Sequence, residues 1–168
     1  MSTGMTADQA HAVAQALGQQ IQQEWMTTVR VVEAIPEDKK SYKPDPKGRS
    51  AWELAVHLCL SDVWFLNGVL TQNFAPHGED APAPTVKGLA EWYKHEMPKA
   101  LERVLALDGA KLSAIVEFFG MKMPNAQYLV WQAVHNAHHR GQLATYLRPM
   151  GSKVPSIYGG SADEPFQG

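Results

Sequence analysis

The stretch from Ser50 to about Asn73 most limits what this chain can fold into. Leu54, Val56, Leu58, Val63, Phe65, Leu66 and Val69, with Leu60, Trp64 and Leu70 between them, put apolar side chains on almost every side of a helix. Such a helix cannot lie with one face in water; it has to be central or covered on two sides. Ser50-Ala51-Trp52-Glu53 supplies its start, a hydroxyl followed three residues later by a carboxylate, which is a capping box. About two turns in stands His57, an ionisable side chain among apolar neighbours, whose ring nitrogens need a partner.

The rest of the chain contains the helices to cover it. Thr6-Ala7-Asp8-Gln9 is a second capping box. After it, Val13, Leu17, Ile21, Trp25, Thr28, Val32 and Ile35 recur in steps of three or four, an amphipathic pattern stopped by Pro36. Lys39 to Gly48 reads as a polar connection, and Asn73 to Pro84, rich in Pro, Gly and acidic residues, as a long exposed loop. Thr85 caps a third helix with Leu89, Trp92, Tyr93, Met97, Leu101, Val104 and Leu105 as its buried stripe. Pro98 predicts a kink or an irregular turn in it, and Asp108-Gly109 its end. Ala114 to Met123 is a turn or an extended piece. The last helix starts at Pro124 or Asn125 and runs to about Arg148, where Pro149 and Gly151 end it. From Ser152 the tail is irregular. No internal repeat or low-complexity tract is present. The expectation is an all-α protein: one domain over 1–168, a four-helix bundle with irregular loops and a C-terminal tail.

Composition removes several function classes. There are 15 Lys and Arg against 17 Asp and Glu, a formal charge of −2, and the basic residues are scattered, so no nucleic-acid footprint is visible. The one cysteine, Cys59, excludes an intrachain disulfide and a thiolate zinc cage, and it reads as a small core residue. Met1 to Gln15 is polar, unlike a signal peptide, and no apolar run is expected to reach the length of a membrane span. A cytoplasmic protein with no membrane partner follows as the expectation.

The chemistry concentrates in His135-Asn136-Ala137-His138-His139-Arg140-Gly141-Gln142. Residues four apart on a helix share a face about 6 Å apart along the axis, so His135 and His139 can turn toward one point. His57, from the second helix, is the best third ligand. Three neutral imidazoles suit zinc, nickel, iron and copper alike and leave coordination positions open, the pattern of a catalytic rather than a structural site. Zinc or nickel is expected. An HxxxH pair is a low-information pattern by itself, and two buried histidines sharing a hydrogen bond explain it as well. Asn136 follows His135, which excludes the His-Glu-x-x-His of a zincin, and paired Glu-x-x-His motifs of a di-iron bundle are missing. Trp131, Gln142 and Tyr146 share the arc of His135 and His139. Gln142, Tyr146, His138 and Ser61 are candidates to border the metal, or packing residues with hydrogen-bonded tips. Ala133, Ala137, Gly141 and Ala144 form a small-residue face suited to close contact within the bundle or across a dimer.

The run His-x-x-His-His-Arg-Gly-Gln, followed by Tyr-Leu-Arg-Pro-Met-Gly from Tyr146 to Gly151 and Val-Pro-x-x-Tyr-Gly from Val154 to Gly159, resembles the DinB-like (DinB/YfiT) superfamily. The resemblance covers nearly the whole chain. It implies a four-helix bundle holding a divalent metal on His57, His135 and His139, and a homodimer. It also implies a reaction class, since the best understood relatives are metal-dependent transferases and isomerases that use low-molecular-weight thiols. The first expectation is therefore a metal-dependent transferase activating such a thiol for attack on an electrophilic small molecule. The rivals are a metal-dependent hydrolase and a non-enzymatic dimeric metal-binding or stress-response module. The residues name no general acid or base.

Overall fold

Four long helices, α1 (Ala7–Glu33), α2 (Ala51–Thr71), α3 (Val86–Leu105) and α5 (Tyr128–Leu147), form the body of the computed structural model, which describes residues 4–165. Between α3 and α5 come a one-turn helix, α4 (Gly109–Ser113), and a two-stranded antiparallel hairpin, β1 (Ile115–Phe118) with β2 (Met121–Pro124). Helix α2 packs on α3 and α5, and α1 packs on the same two helices, so α1 and α2 lie across a diagonal.

The two capping boxes form as their spelling requires. Thr6 accepts from the Gln9 amide and Gln9 answers at the Thr6 amide; Ser50 and Glu53 do the same at the start of α2. Thr85 caps α3, which runs through Pro98 without interruption. The end of α3 differs from the expectation. It stops at Leu105, and Asp108 does not close a helix but opens α4, its side chain accepting from the Lys111 amide. Short polar residues serve both as breakers and as caps, and one Asp-Gly pair cannot say which.

On the first part of α1 the buried residues are Ala10, Ala14, Gly18 and Ile21, followed by Thr28, Val29, Val31 and Val32 near its end, while Val13, Leu17 and Trp25 are half-buried. The core face is therefore rotated toward small residues. A Cβ on Gly18 would stand 2.5 Å from a methyl of Leu105, so the glycine sets how closely the end of α3 approaches α1.

The all-round apolarity of α2 has a tertiary explanation. Two sides face α3 and α5, and a third is covered by the segment after Thr71, which folds back so that Phe74 lies on Gly68. A Cβ at 68 would fall 2.3 Å from the Phe74 ring. With 21 residues α2 is, by length and composition, long and apolar enough to cross a membrane, contrary to the expectation that no run reaches that length. Of its most apolar window 67% is buried inside the bundle, which supplies the apolar surroundings.

Candidate metal centre

Helices α2 and α5 are held in register by polar groups buried between them. The Asp62 carboxylate, fully buried, accepts from the Tyr93 hydroxyl at 2.6 Å and from the Asn136 amide at 2.5 Å. The same amide group reaches Thr28 of α1. One turn on, the buried guanidinium of Arg140 pairs with Glu24 at 2.6 Å and donates to the Tyr158 hydroxyl in the tail. Sliding α5 along α2 would strand these groups without partners in a low-dielectric interior, so the network fixes one register.

In that register His135 and His139 face His57. The Nε2 atoms of His57 and His135 are 3.2 Å apart, and one ring nitrogen from each of the three histidines lies within 4.8 Å of the others. Among the described residues no other group of three or more His, Cys, Asp or Glu side chains converges in this way.

Two of the rings are oriented from behind. His57 Nδ1 lies 2.9 Å from Glu79 Oε1, and since a carboxylate only accepts, that nitrogen carries the proton and Nε2 the lone pair. Arg49 holds the same carboxylate at 2.9 Å. His139 Nδ1 lies 3.2 Å from Gln142 Oε1, which likewise frees its Nε2. His135 Nδ1 is buried with no hydrogen-bond partner. Burial pushes the His135 ring down to about 3, helped by the charges His139 and His57 would carry, and lowers His57 and His139 as well. All three imidazoles are neutral at pH 7, the state in which they act as ligands.

This donor set fits a divalent ion. Two lone pairs, from His57 and His139, point into one small space, and a proton on His135 Nε2 can satisfy one of them at most. Nitrogens bound at about 2.0–2.1 Å around a tetrahedral ion stand about 3.3 Å apart; His57 and His135 are already at 3.2 Å.

The chain matches the model of the DinB family over residues 3–166. It belongs to the DinB family. It is 32% identical to an uncharacterized protein of Bacillus subtilis, YrdA, over 124 residues, covering 70% of this chain and 68% of that one. Its fold is similar to the crystal structures of two DinB-like proteins. One is YjoA from Bacillus subtilis, with a TM-score of 0.71 and 25% identity over 84% of this chain and 97% of that one. The other comes from Bacillus cereus, with a TM-score of 0.74 and 25% identity over 86% of this chain and 97% of that one.

Within this DinB protein the remaining sequence candidates separate. Gln142 orients His139, and the Tyr146 hydroxyl lies 3.4 Å from the Gln142 amide nitrogen. Ser61 lines the cavity beside His57. His138 is exposed and only touches the His139 ring, and Trp131 is 41% exposed. Cys59 is fully buried, and burial pushes its thiol up, away from nucleophilic use. Of the small-residue face, Ala137 and Gly141 are exposed, Ala133 is half-buried and Ala144 buried. Two contributors escaped sequence reasoning. Glu79 sits in a loop with no periodicity to mark it. Asp62 lies in α2 among apolar residues, where a carboxylate is itself a signal of buried partners.

Proposed function

We propose that His57, His135 and His139 bind a divalent metal, zinc or nickel, and that the protein is a transferase which activates a low-molecular-weight thiol for attack on an electrophile. The observation that carries this reading is the convergence of three neutral imidazoles, two of them, His57 and His135, lining an open cavity and two, His57 and His139, oriented by Glu79 and Gln142. When bound, the ion would hold a thiol as its thiolate.

The chain's own residues then have separable tasks. Glu79 keeps the His57 proton on Nδ1 and makes the opposite nitrogen a better donor. Burial keeps His135 unprotonated. The cavity walls position the acceptor and exclude water. The sulfur forms a bond to the electrophilic carbon, the leaving group departs with its electron pair, and the thiol proton passes to solvent. A cytoplasmic location, where such thiols are abundant, and a homodimer joined through the exposed Val130, Val134, Ala137 and Gly141 face of α5 belong to the same reading.

The open cavity favours this over a sealed structural or sensory site. Hydrolysis is less well served, because Glu79, the carboxylate nearest the histidines, is engaged by Arg49 and His57. Elemental analysis and calorimetric titration with zinc and nickel test the site: one ion per chain is expected, and none in His135→Ala. The loaded protein is then incubated with a panel of thiols and an electrophile. Turnover no greater than that of metal-free protein would remove the transferase reading.

A further inference from the structure

The space above the histidines is a cavity of about 570 Å³, within the range of roughly 300–1,000 Å³ common to small-molecule sites. Its floor is His57 and His135, and its walls are aromatic: Trp64 and Phe65 from α2, Phe74 from the following loop, Phe118 and Phe119 from the hairpin. These rings form a connected set, with Phe118 5.5 Å from Trp64, 4.9 Å from Phe74 and 4.5 Å from Phe119 between centroids. Tilted rings at such distances leave faces and edges free to pack on another flat ring.

Charge narrows the ligand further. No Lys or Arg lines the cavity, and its one acidic wall residue, Glu117, is paired with Lys122 at 3.2 Å. A carboxylate, sulfonate or phosphate carried by the acceptor would find no lysine or arginine along these walls. Their one other imidazole, His77, lies against Trp64 with its Nδ1 2.8 Å from the Gly78 carbonyl oxygen, and the ion on the floor is taken by the thiol. Ser61 and Asn73 offer neutral hydrogen-bonding groups beside the rings.

The hairpin tip points the same way. Phe119 and Gly120 occupy the two central turn positions with φ of 48° and 76°, where Asn-Gly is the favoured pair. A bulky side chain with positive φ is strained, and Phe119 is also 88% exposed. Neither the turn nor the core has a use for this ring, whereas the cavity rim does. The Tyr128 hydroxyl, 2.9 Å from the Val116 carbonyl and 3.0 Å from that of Met121, holds the hairpin beside α5.

We propose that this cavity binds an uncharged aromatic compound, and that such a compound is the electrophilic acceptor of the thiol, with Phe118 and Phe119 as its hairpin-borne specificity residues. The acceptor role rests on the thiol-transferase reading; the aromatic site itself does not.

The test uses the full chain stripped of metal by a chelator and titrated with the neutral fluorophore N-phenyl-1-naphthylamine. Saturable binding at one per chain is expected, weakened about three- to tenfold by Phe118→Ala and by Phe119→Ala. Circular dichroism guards against unfolding of the first, and the second removes only an exposed ring. Failure of the wild type to saturate, or full-strength binding by both variants, would overturn the proposal whether or not the protein takes up metal. With metal restored, glutathione is offered 1-chloro-2,4-dinitrobenzene or the anionic, non-aromatic iodoacetate. A kcat/KM at least about tenfold higher for the aromatic acceptor is expected, and equal or reversed preference would overturn the acceptor assignment. Probe binding without thiol turnover would retire the transferase reading and leave the aromatic site standing.

Discussion

Helix α5 carries two polar faces that lie one residue apart in sequence and solve opposite problems. Asn136 and Arg140 point toward α1, Asp62 and the tail, and nearly every donor there ends on an acceptor. His135 and His139 point toward α2 and the cavity, where lone pairs face lone pairs and one ring nitrogen has no partner. The first face is bonded largely within the protein, with only the acceptors Asp62 Oδ1 and Gln132 Oε1 left over, and it fixes the register. The second gathers three imidazoles beside the open cavity that His57 and His135 line. Polar groups buried on adjacent positions of one helix are thus no guide to role until their partners are counted.

Breaking the first face should cost stability. Asn136→Ala removes one of the two hydrogen-bond donors, with Tyr93, that hold the buried Asp62 carboxylate, and a loss of about 2–4 kcal/mol is expected by urea denaturation. An unchanged midpoint would mean that register is set elsewhere.

Breaking the support of the second face should spare the fold. Glu79→Ala, in an exposed loop, is expected to weaken metal binding about 10- to 100-fold with the melting temperature of the metal-free protein unchanged. Unaltered affinity would remove the orienting role of the carboxylate.

The two faces also titrate with opposite sign. An unfolded His135 takes up a proton near its ordinary 6.5, which the folded ring refuses until about 3, so the unfolded state binds more protons and stability falls as pH drops through that window. Burial pushes Asp62 from 3.8 up to about 6, against the hydrogen bonds from Tyr93 and Asn136. Between those values the folded state binds more protons, and stability falls as pH rises. In metal-free protein His135→Asn should shrink the first slope, to which His57 and His139 also contribute, and Asp62→Asn should remove the second, read from denaturation midpoints between pH 4 and pH 7. Matching slopes in both variants would show that other groups govern this range.

The smallest effect belongs to the cavity rim. Phe119→Asn relieves a strained turn position and is expected to raise stability by about 1 kcal/mol. A lowered melting temperature would mean that the ring packs usefully.

Much of this was legible in the sequence because it is local. Capping boxes at Thr6 and Ser50 and the periodicities after them depend on neighbours three or four residues away, and the spacing of His135 and His139 places both on one face whatever surrounds them. The family block was legible too, and in the structure its two halves meet, Arg140 donating to Tyr158 across 18 residues. The convergence of His57 with the other two depended on the register of α2 against α5, which Asp62, Asn136 and Thr28 set across separations of 74 and 108 residues. Glu79 and the cavity walls beyond α2, Phe74, Phe118 and Phe119, come from a loop and a hairpin whose paths follow from contacts such as Phe74 on Gly68. Backbone periodicity carries no information about which nonlocal partners meet, because those contacts are chosen by packing and by the satisfaction of buried polar groups over the whole chain.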